Sequence, residues 1–217
     1  GPGVRRAARA RRRAHREFAR RSSGWARLAG VTPNDRELVS AARRLAKRLL
    51  RKPFLERWLH TQGVAHRAEE IAAVVPRGDR PLLVSAAWLH DIGYSPIIRR
   101  TGFHPLDGAL YLRDKGWDPR LVALVAHHSG ARFVPVERGF ADQMAEFVFE
   151  DSPLSDALTY ADQTVGPGGR RMTVPYRIAE AIARHGPDSP NARARVDRVP
   201  YLLAVADRVE QRLAKGD

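Results

Sequence analysis

No cysteine occurs among the 217 residues. Disulfide frameworks, thiolate metal sites and cysteine nucleophiles are thereby excluded together. No apolar run approaches the ~18 residues needed to span a bilayer, and no signal-peptide core precedes a small-residue cleavage site, so the expected location is cytoplasmic. Lysine is scarce, four against 34 arginines, a ratio that reflects GC-rich codons more than chemistry. Short β-branched strands bounded by turn residues are missing too, and the expected fold class is all-α, a compact helical bundle without internal repeats. What is present is a 43% hydrophobic fraction, ordinary for a globular chain and too aperiodic for collagen or a coiled coil.

The formal net charge of +14 is unevenly spread: residues 1–27 hold ten arginines and a single acid, Glu17, so this segment carries +9 and the rest only +5. Residues 1–33 read as an Arg-rich arm, mobile or irregularly helical, because Val4–Arg21 favours helix yet lacks an apolar stripe. Such an arm is either a solvated tail or a contact for nucleic acid or another anionic surface. Residues 34–190 read as one helical domain, with 191–217 a C-terminal helix packed on it. The sequence leaves the oligomeric state open.

Helix signals punctuate the domain. Asn34 or Asp35 caps a helix to about Leu50, and Pro53 suits the first turn of the next. Asp79 caps a helix running to His90-Asp91, with Gly93 as its stop. Pro105 and Asp118-Pro119 open two more, the second ending at His127-His128-Ser129-Gly130. Further helices fit about 137–149, 153–163 (capped by Ser152), 174–185 and 197–214.

Five of the eight histidines fall at helix ends or on amphipathic faces within about seventy residues. Asp91 follows His90 at the end of the apolar run Leu82–Leu89, and a carboxylate buried there requires a cation or hydrogen-bond partner. Both His90-Asp91 and His127-His128 precede a glycine, placing them in last turns where carbonyl dipoles favour cations. Simple capping of the helix end is the competing reading for His127-His128.

Arg57-Trp58-Leu59-His60-Thr61-Gln62-Gly63-Val64, Trp88-Leu89-His90-Asp91-Ile92-Gly93, His104-Pro105-Leu106-Asp107-Gly108-Ala109, Ala126-His127-His128 and Tyr160-Ala161-Asp162 together resemble the HD-domain superfamily of metal-dependent phosphohydrolases, over roughly residues 53–165. The resemblance is to the His-Asp-Ile-Gly branch that accompanies a two-metal site, and it implies an HD-domain-like bundle. By that resemblance His60, His90, Asp91 and Asp162 hold one ion, while Asp91, His104 and His127 hold a second, with Asp91 bridging. His128 is either a further ligand or a residue that orients one, its side chain about 100° from that of His127 if both are helical. Nitrogen and oxygen donors suit Fe, Mn, Co, Ni, Zn or Mg.

The implied reaction is hydrolysis of a phosphoester, of a nucleotide or related small phosphorylated molecule, by metal-activated water. Asp91 or Asp162 would take the proton, and His104 or His128 would protonate the leaving group. Many relatives carry lysine three residues after the motif aspartate; here Tyr94 stands there, so Arg99 or Arg100 is the expected substitute for the missing charge. That departure keeps a second class open, a di-iron oxygenase with the same ligands. A third is a metal-stabilised nucleic-acid-binding protein. His66 is expected to face away from His60, and His15 and His185 to be surface residues. Asp107 and Asp156 are expected to serve helix starts, Asp156 exposed or capping, and Gln163 or Thr164 to orient Asp162.

Overall fold

Apolar residues recur at helical spacing from Asp35 onwards, and the chain folds accordingly. A computed structural model describes residues 35–52, 54–135, 139–186, 189 and 193–215. The expectations for the Arg-rich arm, His15, Asn34 and Pro53 lie outside those residues, as does the side chain of His185. The described residues are helices joined by turns, with no strand longer than a single antiparallel bridge between Val165 and Arg171. Among the described residues no helix is long and apolar enough to cross a membrane.

The helices are α1 (Asp35–Leu50), α2 (Leu55–Glu70), α3 (Arg80–Leu89), α4 (His104–Asp114), α5 (Pro119–His127), α6 (Ala141–Ala145), α7 (Pro153–Gln163), α8 (Val174–His185) and α9 (Arg195–Ala214). Helix α1 buries Ala42, Leu45, Ala46, Leu49 and Leu50 on one face, with Asp35 and Glu37 at its positive end and Lys47 and Arg48 at its negative end; both charge placements favour the helix dipole. The Asp118 and Ser152 side chains cap α5 and α7 as expected. Asp79 precedes α3 without capping it and pairs instead with Arg120. Helix α6 covers only five residues of the helix expected over 137–149.

Helix α3 is the axis. Every residue from Leu83 to Leu89 is buried, as expected of a helix surrounded on all sides, and α1, α2, α5 and α7 all pack on it. Its end is therefore fixed in the middle of the bundle. Helix α9 lies on α7, where buried Asp156 accepts two bonds from Arg208 (Nε 2.9 Å, Nη2 2.6 Å) and one from Arg212 (2.8 Å). This corrects the expectation that Asp156 is exposed or capping: two arginines one helical turn apart on α9 clamp it.

Two close approaches bring distant segments to the end of α3. Gly93 is not a left-handed helix stop; a Cβ there would lie 2.0 Å from the carbonyl oxygen of His104, so glycine permits the N-terminus of α4 to press against the His-Asp turn. Across the bundle, a Cβ on Gly169 would lie 2.7 Å from the Leu59 carbonyl, which lets the turn after α7 lie against α2.

Candidate metal centre

Four helix ends and the middle of a fifth helix deliver side chains to one point. His90 and Asp91 end α3, His128 ends α5, Asp162 sits in the last turn of α7, His104 begins α4, and His60 faces inward from the middle of α2. His60, His90, Asp91, His128 and Asp162 are buried, and only the His104 ring is partly open.

The imidazoles are held from behind. Nδ1 of His90 donates to the Ala87 carbonyl at 2.7 Å, Nδ1 of His128 to that of Val125 at 2.6 Å, and Nδ1 of His60 to that of Gly166 at 3.1 Å. A carbonyl only accepts, so each Nδ1 carries the proton and each neutral ring turns the lone pair of Nε2 inward. His60 and His90 then face each other Nε2 to Nε2 at 3.4 Å, and His104 and His128 do so at 3.3 Å. Lone pairs opposed at such distances need a cation, and backbone anchoring of the far nitrogen is the usual support of a metal-bound histidine.

Asp91 lies between the two pairs. Its Oδ2 is 3.5 Å from His60 Nε2 and 3.3 Å from His90 Nε2, while Oδ1 is 3.3 Å from His104 and 3.9 Å from His128. Asp162 Oδ1 closes the first group, 3.0 Å from His60 and 3.8 Å from His90. Donors about 2.1 Å from a shared ion sit roughly 3 Å apart when adjacent, so these separations fit ligands around an ion. Two donor groups result, one of His60, His90 and Asp91, the other of Asp91, His104 and His128. The set is nitrogen and oxygen only, as hard or borderline divalent ions prefer.

Charge follows the same division. Burial opposes ionisation of Asp91, but the neighbouring His90 and the Arg57 guanidinium hold its carboxyl well below the usual range. Asp162 is likewise held well down against burial, through its bond to His60 and the nearby His90. Burial pushes His128 down to about 4 and His104 well below an ordinary imidazole, whereas for His90 the adjacent Asp91 outweighs burial and raises it. Ionised carboxylates beside the neutral rings of His104 and His128 are the protonation state that metals require, and at His90 an ion would take the place of the proton that Asp91 favours.

The supporting residues include several that motif reading missed. Arg57 Nη1 donates to Asp91 Oδ2 at 2.7 Å, and its guanidinium lies over the Tyr94 ring, 4.1 Å from the centroid. Tyr94 in turn stacks on His104 at 4.1 Å. The spacing of Arg57 and His60, one helical turn, carried that information. Ser129, at φ 55, donates its hydroxyl to Asp162 Oδ2, and Gln163 Nε2 bridges both (3.1 Å to Ser129 Oγ, 3.4 Å to Asp162 Oδ2). Thr164 does not orient Asp162; its hydroxyl donates to the Tyr160 carbonyl at 2.8 Å.

Two expectations need correction. His127 does not reach the group: its Nε2 donates to the Phe147 carbonyl at 2.8 Å and its ring packs edge-on against Phe149. The chain leaves the helix at His128, at ψ 148, and this turns the second ring of the dipeptide inward and the first outward. Arg99 and Arg100 are exposed; Arg100 pairs with Asp114 at 2.7 Å, and neither lines the cavity over the centre. The cation beside Tyr94 is Arg57. Asp107 takes Thr101 and Gly102 backbone donors at 2.7 and 2.9 Å, fastening the loop before α4, and His66 is exposed beside Glu70.

Above the donors lies a cavity of about 320 Å³ lined by Asp91, Tyr94, His104, His128 and Asp162 among others. The sequence model of a family described as the HD domain matches residues 57–166, which contain every one of these side chains. Neither the curated proteins nor the solved structures yield a match.

Proposed function

The chain belongs to the HD-domain family, and from that premise we propose that it hydrolyses a phosphoester of a nucleotide or related small molecule, using two divalent ions. The observation that carries the reading is the Asp91 carboxylate, whose two oxygens face two separate histidine pairs. His60, His90, Asp91 and Asp162 would hold one ion, and Asp91, His104 and His128 the other. Bound divalent ions supply Lewis acidity there, lowering the pKa of water and offsetting charge on phosphoryl oxygens.

The chain's own residues do the rest. Ser129 and Gln163 occupy Asp162 Oδ2 and leave Oδ1 facing the cluster. Arg57 supplies a fixed positive charge beside the cavity, in place of the lysine that Tyr94 replaces, and the Tyr94 ring keeps that guanidinium in position. A guanidinium so placed stabilises charge growing on a non-bridging oxygen. As ligands through Nε2, His104 and His128 would hold no proton for the leaving group; the proton lost by the attacking water would pass to solvent in the cavity, and the leaving oxygen would take one from the same solvent. Asp91 and Asp162, already depressed, are better ligands than bases.

Anaerobic metal analysis followed by a phosphate-release screen with each divalent ion tests the reading. We expect close to two ions per chain, phosphate release without oxygen, and loss of both in Asp91→Ala. Oxygen consumption coupled to product would instead establish the oxygenase chemistry.

A further inference from the structure

The family match ends at residue 166, yet the cavity does not. Its far wall is built from α8 and α9, which contribute Arg177, Ala181 and Arg198. Arg177 is 6% exposed, unusually low for an arginine, and arginines so deeply placed are ordinarily fully paired. Its Nη1 donates to Glu180 at 2.6 Å, but its Nε finds no acceptor among the described residues. Arg198 donates Nε to the Ser129 carbonyl at 2.9 Å, an uncharged partner. Burial pulls its guanidinium below the normal arginine range, and Asp162 is the carboxylate that partly offsets this.

Arg57 and Arg177 are thus each bonded to a carboxylate, Asp91 and Glu180 respectively, whereas Arg198 bonds to a carbonyl. Asp91 and Asp162 are the carboxylates of the cavity wall, and both are directed to the histidine cluster. Arg57 and Arg177 also line a second, adjoining cavity of about 340 Å³, so the two guanidinium groups stand where the spaces meet. A pocket whose wall carries buried Arg177 and half-buried Arg198, the second bonded to a neutral carbonyl, is complementary to an anion.

We propose that Arg177 and Arg198 form a second anion subsite, so that the substrate is a phosphoester carrying at least two phosphoryl groups, one at the histidine-aspartate cluster and one at these arginines. The inference rests on the phosphohydrolase reading for the first group. Both arginines lie outside the family match, and the subsite is thus a property of this chain's own C-terminal helices.

Calorimetric titration of the full chain loaded with Mn²⁺ tests it, using methylenediphosphonate, which has two phosphonates and resists hydrolysis, against methylphosphonate, which has one. The expected preference for the first is about tenfold or more, the worth of one charge-assisted contact. Arg177→Gln and Arg198→Gln should each reduce that ratio to about threefold or less with methylphosphonate affinity unchanged, and Arg198→Lys should preserve it. A ratio that persists in both glutamine variants overturns the subsite, as does an equal loss of affinity for both probes. Metal content and melting curves identify a variant that has lost its fold, and Arg198→Lys keeps the test independent of that failure. Phosphate release enters neither ratio: a chain with the arginine-dependent ratio but no hydrolysis sinks the phosphohydrolase reading alone, and hydrolysis without the ratio sinks the subsite alone.

Discussion

Ser129 is the one described residue other than glycine held at positive φ, in a region where side chains cost about 1 kcal/mol or more. It tolerates that strain while its hydroxyl anchors Asp162. Ser129→Gly and Ser129→Ala both remove the hydroxyl, and both should weaken metal retention about 10- to 100-fold in chelator competition. Only the glycine variant also relieves the backbone, so it should unfold at higher denaturant than the alanine variant, by about 1 kcal/mol. Equal stability of the two would show that no strain resides there. The family resemblance located His60, His90, Asp91 and His104, because motif order fixes them. It did not tell His127 from His128, since which ring of a dipeptide turns inward depends on where the chain departs from helical geometry.

At the scale of elements, the second donor group depends on how closely α4 meets the His-Asp turn. Gly93→Ala would place a methyl 2.0 Å from the His104 carbonyl, and backbone cannot yield as a flexible side chain does. Helix α4 must then retreat and take His104 with it. The expected outcome is a fall from close to two ions per chain to close to one, read by metal analysis, since His60, His90 and Asp162 are not on that helix. Caps and apolar spacing made most helices legible: Asp118 and Ser152 cap where they should, and α3 is as buried as its composition implies. The expected helix over 137–149 shrank to Ala141–Ala145, where the segment around Phe147 instead supplies the carbonyl that takes His127. Asp156 escaped reading because its partners, Arg208 and Arg212, lie some fifty residues away. Arg198 escaped for the same reason, its bonded partner Ser129 lying 69 residues away.

Over the whole molecule, protonation should govern stability when metal is removed. Burial holds His104, His127 and His128 below their ordinary pKa. As pH falls below about 6.5, the unfolded rings bind protons that the folded rings refuse. Stability therefore declines from there to about 4, the folded value of His128, with a contribution from that ring on the order of 3 kcal/mol. His90, raised by Asp91, acts in the opposite sense, favouring the fold at low pH and losing that contribution as pH rises through its elevated pKa. Asp91 and Asp162 are depressed, so their loss is added only below about 4. Denaturant titration in chelator at pH 7, 5.5 and 4.5 should show a steady decrease; a flat profile would contradict the assigned ring environments. Asp35–Asp217 forms a compact unit by itself. Deletion of residues 4–27 is accordingly expected to leave metal content unchanged, read by metal analysis of the shortened chain.

The convergence of five helices on one carboxylate has an outcome beyond chemistry. Without ions, the opposed imidazole nitrogens would lose the cation between them at the hub where those helices meet, and the bundle would be weakened at its least accessible point. Ligation and folding thus share one free energy. A chain deprived of its ion would be looser and more open to proteases, and ion supply would then set how many copies survive.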